Sequence, residues 1–95
     1  MSPVVPAPVL AQVWRNGARQ ASLVRLLALC EVEPMTEAQA RQVGTLAAVA
    51  GTHDVVDLVL VESAARRGHA ILTADVDDIT AIVRAANLTV PIAPI

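Results

Sequence analysis

Residues 54–78 read DVVDLVLVESAARRGHAILTADVDD, and the expected fold class follows from this stretch. An apolar run with helical spacing opens at Asp54 and closes at Gly68, a residue type that favours helix C-caps. A short apolar strand follows at residues 70–73, and a second helix begins close to Asp75. A strand set between two helices in this way predicts a parallel α/β fold.

Both helix starts carry a pair of carboxylates at the same spacing, Asp54-x-x-Asp57 and Asp75-x-x-Asp78. If the second helix lies beside the first, Asp57 and Asp75 converge. Carboxylate oxygens are hard ligands that Mg²⁺ and Mn²⁺ prefer, and such a site suits phosphodiester cleavage. A second interpretation stays open, because Asp is also favoured at the N-cap and in the first turn, where it complements the helix dipole.

The length and composition predict one domain spanning residues 1–95 with a modest aliphatic core. Hydrophobic residues make up 55% of the chain and the mean hydropathy is +0.56, so the excess apolar residues must enter a core or an interface. Charged residues interrupt every apolar run before the roughly 18 residues that a membrane span needs. We therefore expect no membrane association.

Aromatic and charged residues limit the possible contacts with nucleic acid. Trp14 is the single aromatic residue, which we expect in the core, and it leaves almost no stacking surface for unpaired bases. The net charge is −2, so the chain lacks the basic surface of a dedicated nucleic-acid binder. All seven basic residues are arginines, and Arg15, Arg19 and Arg25 form either a local strip that contacts phosphate or a solvated helix face.

The single cysteine and the N-terminal residues indicate the compartment. Cys30 has no second cysteine with which to form an intramolecular disulfide, and a reducing cytoplasm is the simplest setting. The N-terminal residues lack a basic segment followed by a long apolar stretch, so we expect no secretory signal. The expected localisation is cytoplasmic.

The remaining elements follow from turn and capping residues. Pro6 or Pro8 is placed in the first turn of a helix that ends at Asn16-Gly17. Thr36 with Gln39 forms a capping-box pattern. The predicted strands cover residues 4–5, 30–34, 70–73 and 88–92, and the predicted helices after the first cover residues 18–29, 37–50, 55–67 and 76–86.

Two segments resemble the C-terminal two thirds of a PIN domain, as found in VapC-type toxins: Asp54-Val-Val-Asp-Leu-Val-Leu-Val-Glu-Ser-Ala-Ala65 and Gly68-His-Ala-Ile-Leu-Thr-Ala-Asp75. In that family an acidic residue opens a helix of the form D-A-x-I-A-x-x-A, and a T-x-D tripeptide follows a later strand. Asp57 and Asp75 match these two positions. The resemblance implies a three-layer α/β/α fold around a short parallel sheet.

The resemblance also implies an activity, a cofactor and partners. The family consists of Mg²⁺- or Mn²⁺-dependent endoribonucleases that are paired with an antitoxin protein, and the metal activates water for attack on an RNA phosphate. The implied metal ligands and catalytic residues are Asp57 and Asp75. The auxiliary groups are Asp54, Asp78 and Gln12, of which Asp54 and Asp78 are also expected helix caps. The expected RNA-contacting residues are Arg15 and Arg19.

Two departures from the family pattern lower the expected activity. The strand that carries the family's first catalytic Asp has no match in these residues, and Gln12, in Val9-Leu-Ala-Gln-Val-Trp14, stands where the family has Glu. We therefore expect a partial PIN-like domain that lacks the first central strand and two of four acids, with weak or no cleavage. Strand exchange in a homodimer, or an upstream segment of the natural protein, would fill the gap in the sheet.

Two further hypotheses stay open. The first is a non-catalytic, degenerate PIN module that binds an antitoxin or dimerises through the apolar helices at residues 9–14 and 23–29. The second is a structural α/β fragment in which the acidic residues only cap helices. The partners expected under these hypotheses are an antitoxin, RNA if the site is active, and a second copy of the chain.

Overall fold

The computed structural model describes residues 3–15 and 20–95, which fall into two compact units, Met1–Met35 and Thr36–Ile95. Helices and parallel strands are both present, so the predicted α/β class is confirmed. The elements, in chain order, are β1 (Val4–Pro6), α1 (Ala7–Val13), α2 (Ala21–Leu27), β2 (Glu31–Glu33), α3 (Glu37–Ala50), α4 (Val55–Arg67), β3 (Ile71–Thr73), α5 (Val76–Ala85) and β4 (Ile92–Pro94).

The Met1–Met35 unit contains a two-stranded parallel sheet, in which Val5 of β1 faces Val32 of β2. The main-chain N–H of Glu31 donates to the Pro3 carbonyl at 2.8 Å and fixes this register. Pro8 lies in the first turn of α1, as predicted, because proline has no N–H to lose there.

One prediction for this unit is wrong. Trp14 is 39% exposed and follows the last residue of α1, so it does not lie in the core. Helix α2 buries none of its residues, although its sequence has an apolar side. The strand predicted at residues 30–34 is present as β2, one residue shorter at each end, and of its residues Glu33 alone is buried. A seven-residue helix and a three-residue strand offer too little surface to cover these apolar groups.

The Thr36–Ile95 unit begins with a well-capped helix. Thr36 Oγ1 accepts a hydrogen bond from the Gln39 N–H at 3.1 Å, as the capping-box pattern predicts. The Gln39 side chain does not complete the box; its Nε2 atom is buried and has no partner within the described residues. Gly51 ends α3 with φ +69°, a left-handed conformation that favours glycine.

Helix α4 forms the centre of the core, as its nearly continuous apolar sequence predicted. Six of its residues are buried, and Val59 and Val61 have no exposed surface. Helix α5 packs against α4 and contributes Ile79, which is also fully buried, while β3 contributes Ile71. The residues of the core are Val43, Leu58, Val59, Val61, Ala64, Ile71, Ile79, Ile82, Val83 and Val90.

The second sheet pairs β3 with β4 in parallel, with Leu72 opposite Ala93. The last strand was predicted at residues 88–92 and instead begins at Ile92, so that prediction is wrong by about four residues. The cause is Asn87, whose positive φ of 53° turns the chain after α5, so that residues 88–90 lead to the sheet and the Pro91 carbonyl accepts the Ile71 N–H of β3 just before β4 begins.

Among the described residues, no single helix is both long and apolar enough to cross a membrane. Helices α3 and α4 reach the required length and hydropathy only as a pair, and they are bent by 109° at the break between them.

Candidate acidic site at two helix starts

Asp54 is the N-cap of α4, and capping accounts for its position. Its Oδ1 atom accepts a hydrogen bond from the main-chain N–H of Asp57 at 3.1 Å. Its own N–H donates to Thr52 Oγ1 at 3.3 Å, which fixes the turn before the helix. The expectation that Asp54 caps a helix is therefore confirmed.

Asp75 occupies the equivalent place before α5, but its side chain makes no capping hydrogen bond. The turn is held by Thr73, which is 8% exposed and whose Oγ1 atom accepts the Asp75 N–H at 3.0 Å. The threonine of the T-x-D tripeptide thus fixes the backbone of the aspartate that follows it. Because no cap engages the Asp75 carboxylate, capping does not explain why an acid stands there.

Asp78 lies in the first turn of α5 together with Asp77, and neither residue is the N-cap. The expectation that Asp78 is the N-cap of this helix is therefore wrong. A first-turn carboxylate still interacts favourably with the positive end of the helix dipole. Asp78 is therefore a first-turn acid of α5 and not its N-cap.

The neighbouring carboxylates change the pKa of Asp57. Its pKa is raised from the usual 3.8 to about 6, first because burial removes water from the carboxylate and then because of the negative charges of Asp54, Asp75 and Asp78. The side chain of Asp54 adds a hydrogen bond that also favours the protonated form. The two helix starts therefore place their carboxylates within electrostatic range of one another.

The donors of this cluster suit a divalent cation, since they are all carboxylates and their mutual repulsion is relieved by positive charge. Among the described residues, however, no group of three or more His, Cys, Asp or Glu side chains has an arrangement that could hold a metal ion. The chemistry of the donors fits Mg²⁺ or Mn²⁺, whereas a complete protein ligand cage is not formed in the part of the chain described.

The other predicted site residues belong to the Met1–Met35 unit. Gln12 is exposed on α1. Arg15 is exposed as well, and its Nη1 atom donates to the Trp14 carbonyl at 2.8 Å. Arg19 lies outside the described residues. The roles proposed for these three residues stay predictions.

One feature of α4 was not predicted from the sequence. Glu62, with a side chain that is 9% exposed, accepts hydrogen bonds from Arg66 Nε at 3.0 and 3.1 Å. This ion pair lies along a groove of about 590 Å³ formed by α3, α4 and the segment after α5. The sequence did carry a signal for this ion pair, namely a charged residue inside an apolar helical run with an arginine four positions later. The residues lining the groove are Gln42, Thr45, Leu46, Val49, Glu62, Ala65, Arg66, Ala86 and Leu88.

Neither protein-family models nor curated protein sequences give a match to this chain. The resemblance to the PIN domain therefore rests on the motifs around Asp57 and Asp75.

Proposed function

We propose that this chain is a PIN-like, VapC-type toxin endoribonuclease by descent, with weak or no cleavage activity as these 95 residues stand. The motifs around Asp57 and Asp75 carry the proposal, and the charges of Asp54, Asp75 and Asp78, which raise the pKa of Asp57, support it. Carboxylates held close together repel one another and destabilise the folded chain, and a bound divalent cation removes this repulsion. A metal-dependent nuclease requires such a cluster.

The finer fold belongs to the same proposal. The succession of α4, β3, α5 and β4, with β3 parallel to β4, agrees with a PIN-like three-layer α/β/α arrangement. Within the described residues, β1 pairs with β2 in one compact unit and β3 pairs with β4 in the other. This pairing is consistent with a domain that lacks the family's first central strand.

Under this proposal, Asp57 and Asp75 hold a Mg²⁺ or Mn²⁺ ion, with Asp54 and Asp78 as auxiliary carboxylates. One or two carboxylates, completed by waters and substrate phosphates, are sufficient for Mg²⁺. When bound, the ion supplies an activated water and stabilises charge on the RNA phosphate. In the sequence motif, Gln12 stands where the family has Glu, which is the reason for expecting little cleavage.

A thermal melt followed by circular dichroism, with and without millimolar Mn²⁺, tests the metal site. We expect Mn²⁺ at about tenfold excess over its Kd to stabilise the folded chain by about 1.4 kcal/mol. Asp57→Ala and Asp75→Ala should each remove this stabilisation. Asp77→Asn is the matched control, because it removes a carboxylate of the same helix start that is not among the charges acting on Asp57.

A Mn²⁺ effect that survives both alanine substitutions would show that the ion binds elsewhere. The activity itself is tested by incubating RNA with the chain and Mn²⁺. Cleavage that Asp57→Ala leaves unchanged would exclude the catalytic assignment. The absence of any Mn²⁺ effect on the wild-type chain would exclude the metal site altogether.

The exposed surface of α2 favours a second candidate, a non-catalytic module that binds an antitoxin. Val24 and Leu26 of this helix are 48% and 58% exposed, and an apolar helix surface of this kind fits an amphipathic partner helix. Copurification with an antitoxin helix, lost in Leu26→Lys, would support this function. A monomer that retains no partner would count against it.

A further inference from the structure

Strand β3 has one edge that pairs with β4 and one edge that pairs with no strand of the described residues. On the paired side, the Ile71 N–H donates to the Pro91 carbonyl at 2.8 Å and the Thr73 carbonyl accepts the Ile95 N–H at 3.1 Å. Main-chain groups alternate between the two edges of a strand, so the N–H and C=O of Leu72 both point to the open edge.

The two outer edges of this sheet differ in what they offer. The outer edge of β4 includes Pro94, which has no N–H to donate. The open edge of β3 has a donor and an acceptor on one residue and carries neither a proline nor a charged side chain, which are the usual protections of an edge. Only the β3 edge of this sheet is therefore complete for pairing with another strand.

A donor and an acceptor on a single residue form a self-complementary unit. In an antiparallel pair, two residues that face each other in a hydrogen-bonded position exchange both N–H···O=C bonds. If Leu72 faces the same residue of a second copy, both main-chain groups are satisfied on each side. The Leu72 side chain is 65% exposed, whereas its neighbours Ile71 and Thr73 are buried, so pairing would also cover an exposed apolar side chain.

The acids that follow β3 favour the antiparallel orientation. They belong to the α5 start and are Asp75, Asp77 and Asp78. An antiparallel pair keeps the acidic ends of the two copies apart. A parallel pair would instead place two acidic ends together, which is unfavourable.

We propose that two copies of this chain associate through the open edge of β3, in antiparallel register about Leu72. This surface is distinct from the apolar helices at residues 9–14 and 23–29 that the sequence indicated for dimerisation. The proposal does not require a metal at the acidic site. Because the strand has only three residues, the complex is weak and forms as the protein concentration rises.

Sedimentation velocity of the full chain, from about 10 µM to about 1 mM, tests the proposal over the range where weak complexes form. Leu72→Pro removes the outward N–H and keeps the bonds of the paired edge, and circular dichroism verifies that it folds. Leu72→Lys keeps the N–H and places like charges opposite each other. Leu26→Lys is the control, since it removes a similarly exposed leucine from α2.

We expect the dimer Kd to rise at least tenfold in both Leu72 variants and to stay unchanged in Leu26→Lys. A wild-type chain that stays monomeric at the highest concentration would overturn the proposal. Dissociation by Leu26→Lys alone would overturn it as well and would assign the interface to α2.

Discussion

Replacing Asp57 by Asn should stabilise the protein at neutral pH, although it removes a candidate functional residue. Asp57 is partly buried and surrounded by the charges of three other aspartates, so its ionised form is disfavoured in the folded chain. An amide of nearly the same shape removes this repulsion and can still be accommodated in the first turn of α4. The gain depends on pH, because only the ionised carboxylate is unfavourable.

The sign follows from the direction of the pKa change. A carboxylate whose pKa is raised on folding stabilises the folded state at pH values below its usual pKa of 3.8, and this contribution is lost as the pH rises through about 6. The difference between the two pKa values corresponds to about 3 kcal/mol. Since the carboxylate is only partly buried, screening by solvent reduces this figure to about 1 kcal/mol.

A smaller effect opposes the gain. Asp57 lies in the first turn of α4, where a negative charge interacts favourably with the helix dipole, and the loss of that charge costs about 0.3 kcal/mol. The net stabilisation expected for Asp57→Asn is therefore about 0.7 kcal/mol at neutral pH. For a domain of this size that corresponds to a rise of about 4 °C in Tm.

Thermal melts of Asp57→Asn and the wild-type chain at a pH of about 7.5 and of about 3.5 measure this effect. We expect the variant to melt higher at the first pH and to lose that advantage at the second. Asp77→Asn is the control, because Asp77 is an acid of the α5 start that does not contribute to the raised pKa. A lower Tm for Asp57→Asn at neutral pH, or an equal difference at both pH values, would refute the electrostatic reasoning.

Three further predictions concern stability and are measured by the same melts. Ile79→Ala, at a fully buried position, should cost about 2 to 5 kcal/mol, and a cost below 1 kcal/mol would mean that α5 is not part of the core. Thr36→Ala removes the N-cap of α3 and should cost about 1 kcal/mol, whereas Thr36→Ser should not. Gly51→Ala should destabilise the protein by about 1 kcal/mol because the φ of Gly51 is +69°. Gly44→Ala, inside α3 with open space around the added Cβ, should stabilise the protein by about 0.5 kcal/mol. Equal effects of the two substitutions would contradict the left-handed conformation at Gly51.

Features that depend on neighbouring residues were predictable from the sequence. Thr36 and Gly51 bound α3 because capping is decided within one turn of the helix, and Gly68 ends α4 for the same reason. The burial of α4 also follows from its own residues, because an almost continuous apolar run gives the helix no broad polar face to expose to solvent.

Features that depend on distant residues were not predictable. The position of β4 depends on the path that residues 88–91 take from α5 to β3. The apolar pattern of Leu88 to Val90 predicted a strand, whereas Val90 packs in the core without belonging to a strand. Trp14 looked like a core residue by type, but its burial required a covering surface that short elements do not provide. The pKa of Asp57 depends on Asp75 and Asp78, which only the fold brings near it.

The two interpretations of the acidic helix starts apply to different residues. Capping accounts fully for Asp54, whose carboxylate binds a main-chain N–H, and the helix dipole accounts for Asp78. The dipole also favours a charge on Asp75 and on Asp57, but Asp75 makes no capping hydrogen bond and the fold opposes the ionisation of Asp57. Asp57 and Asp75 are also the pair that resembles the acidic positions of the PIN motif, and a cation at this pair would relieve the repulsion on Asp57.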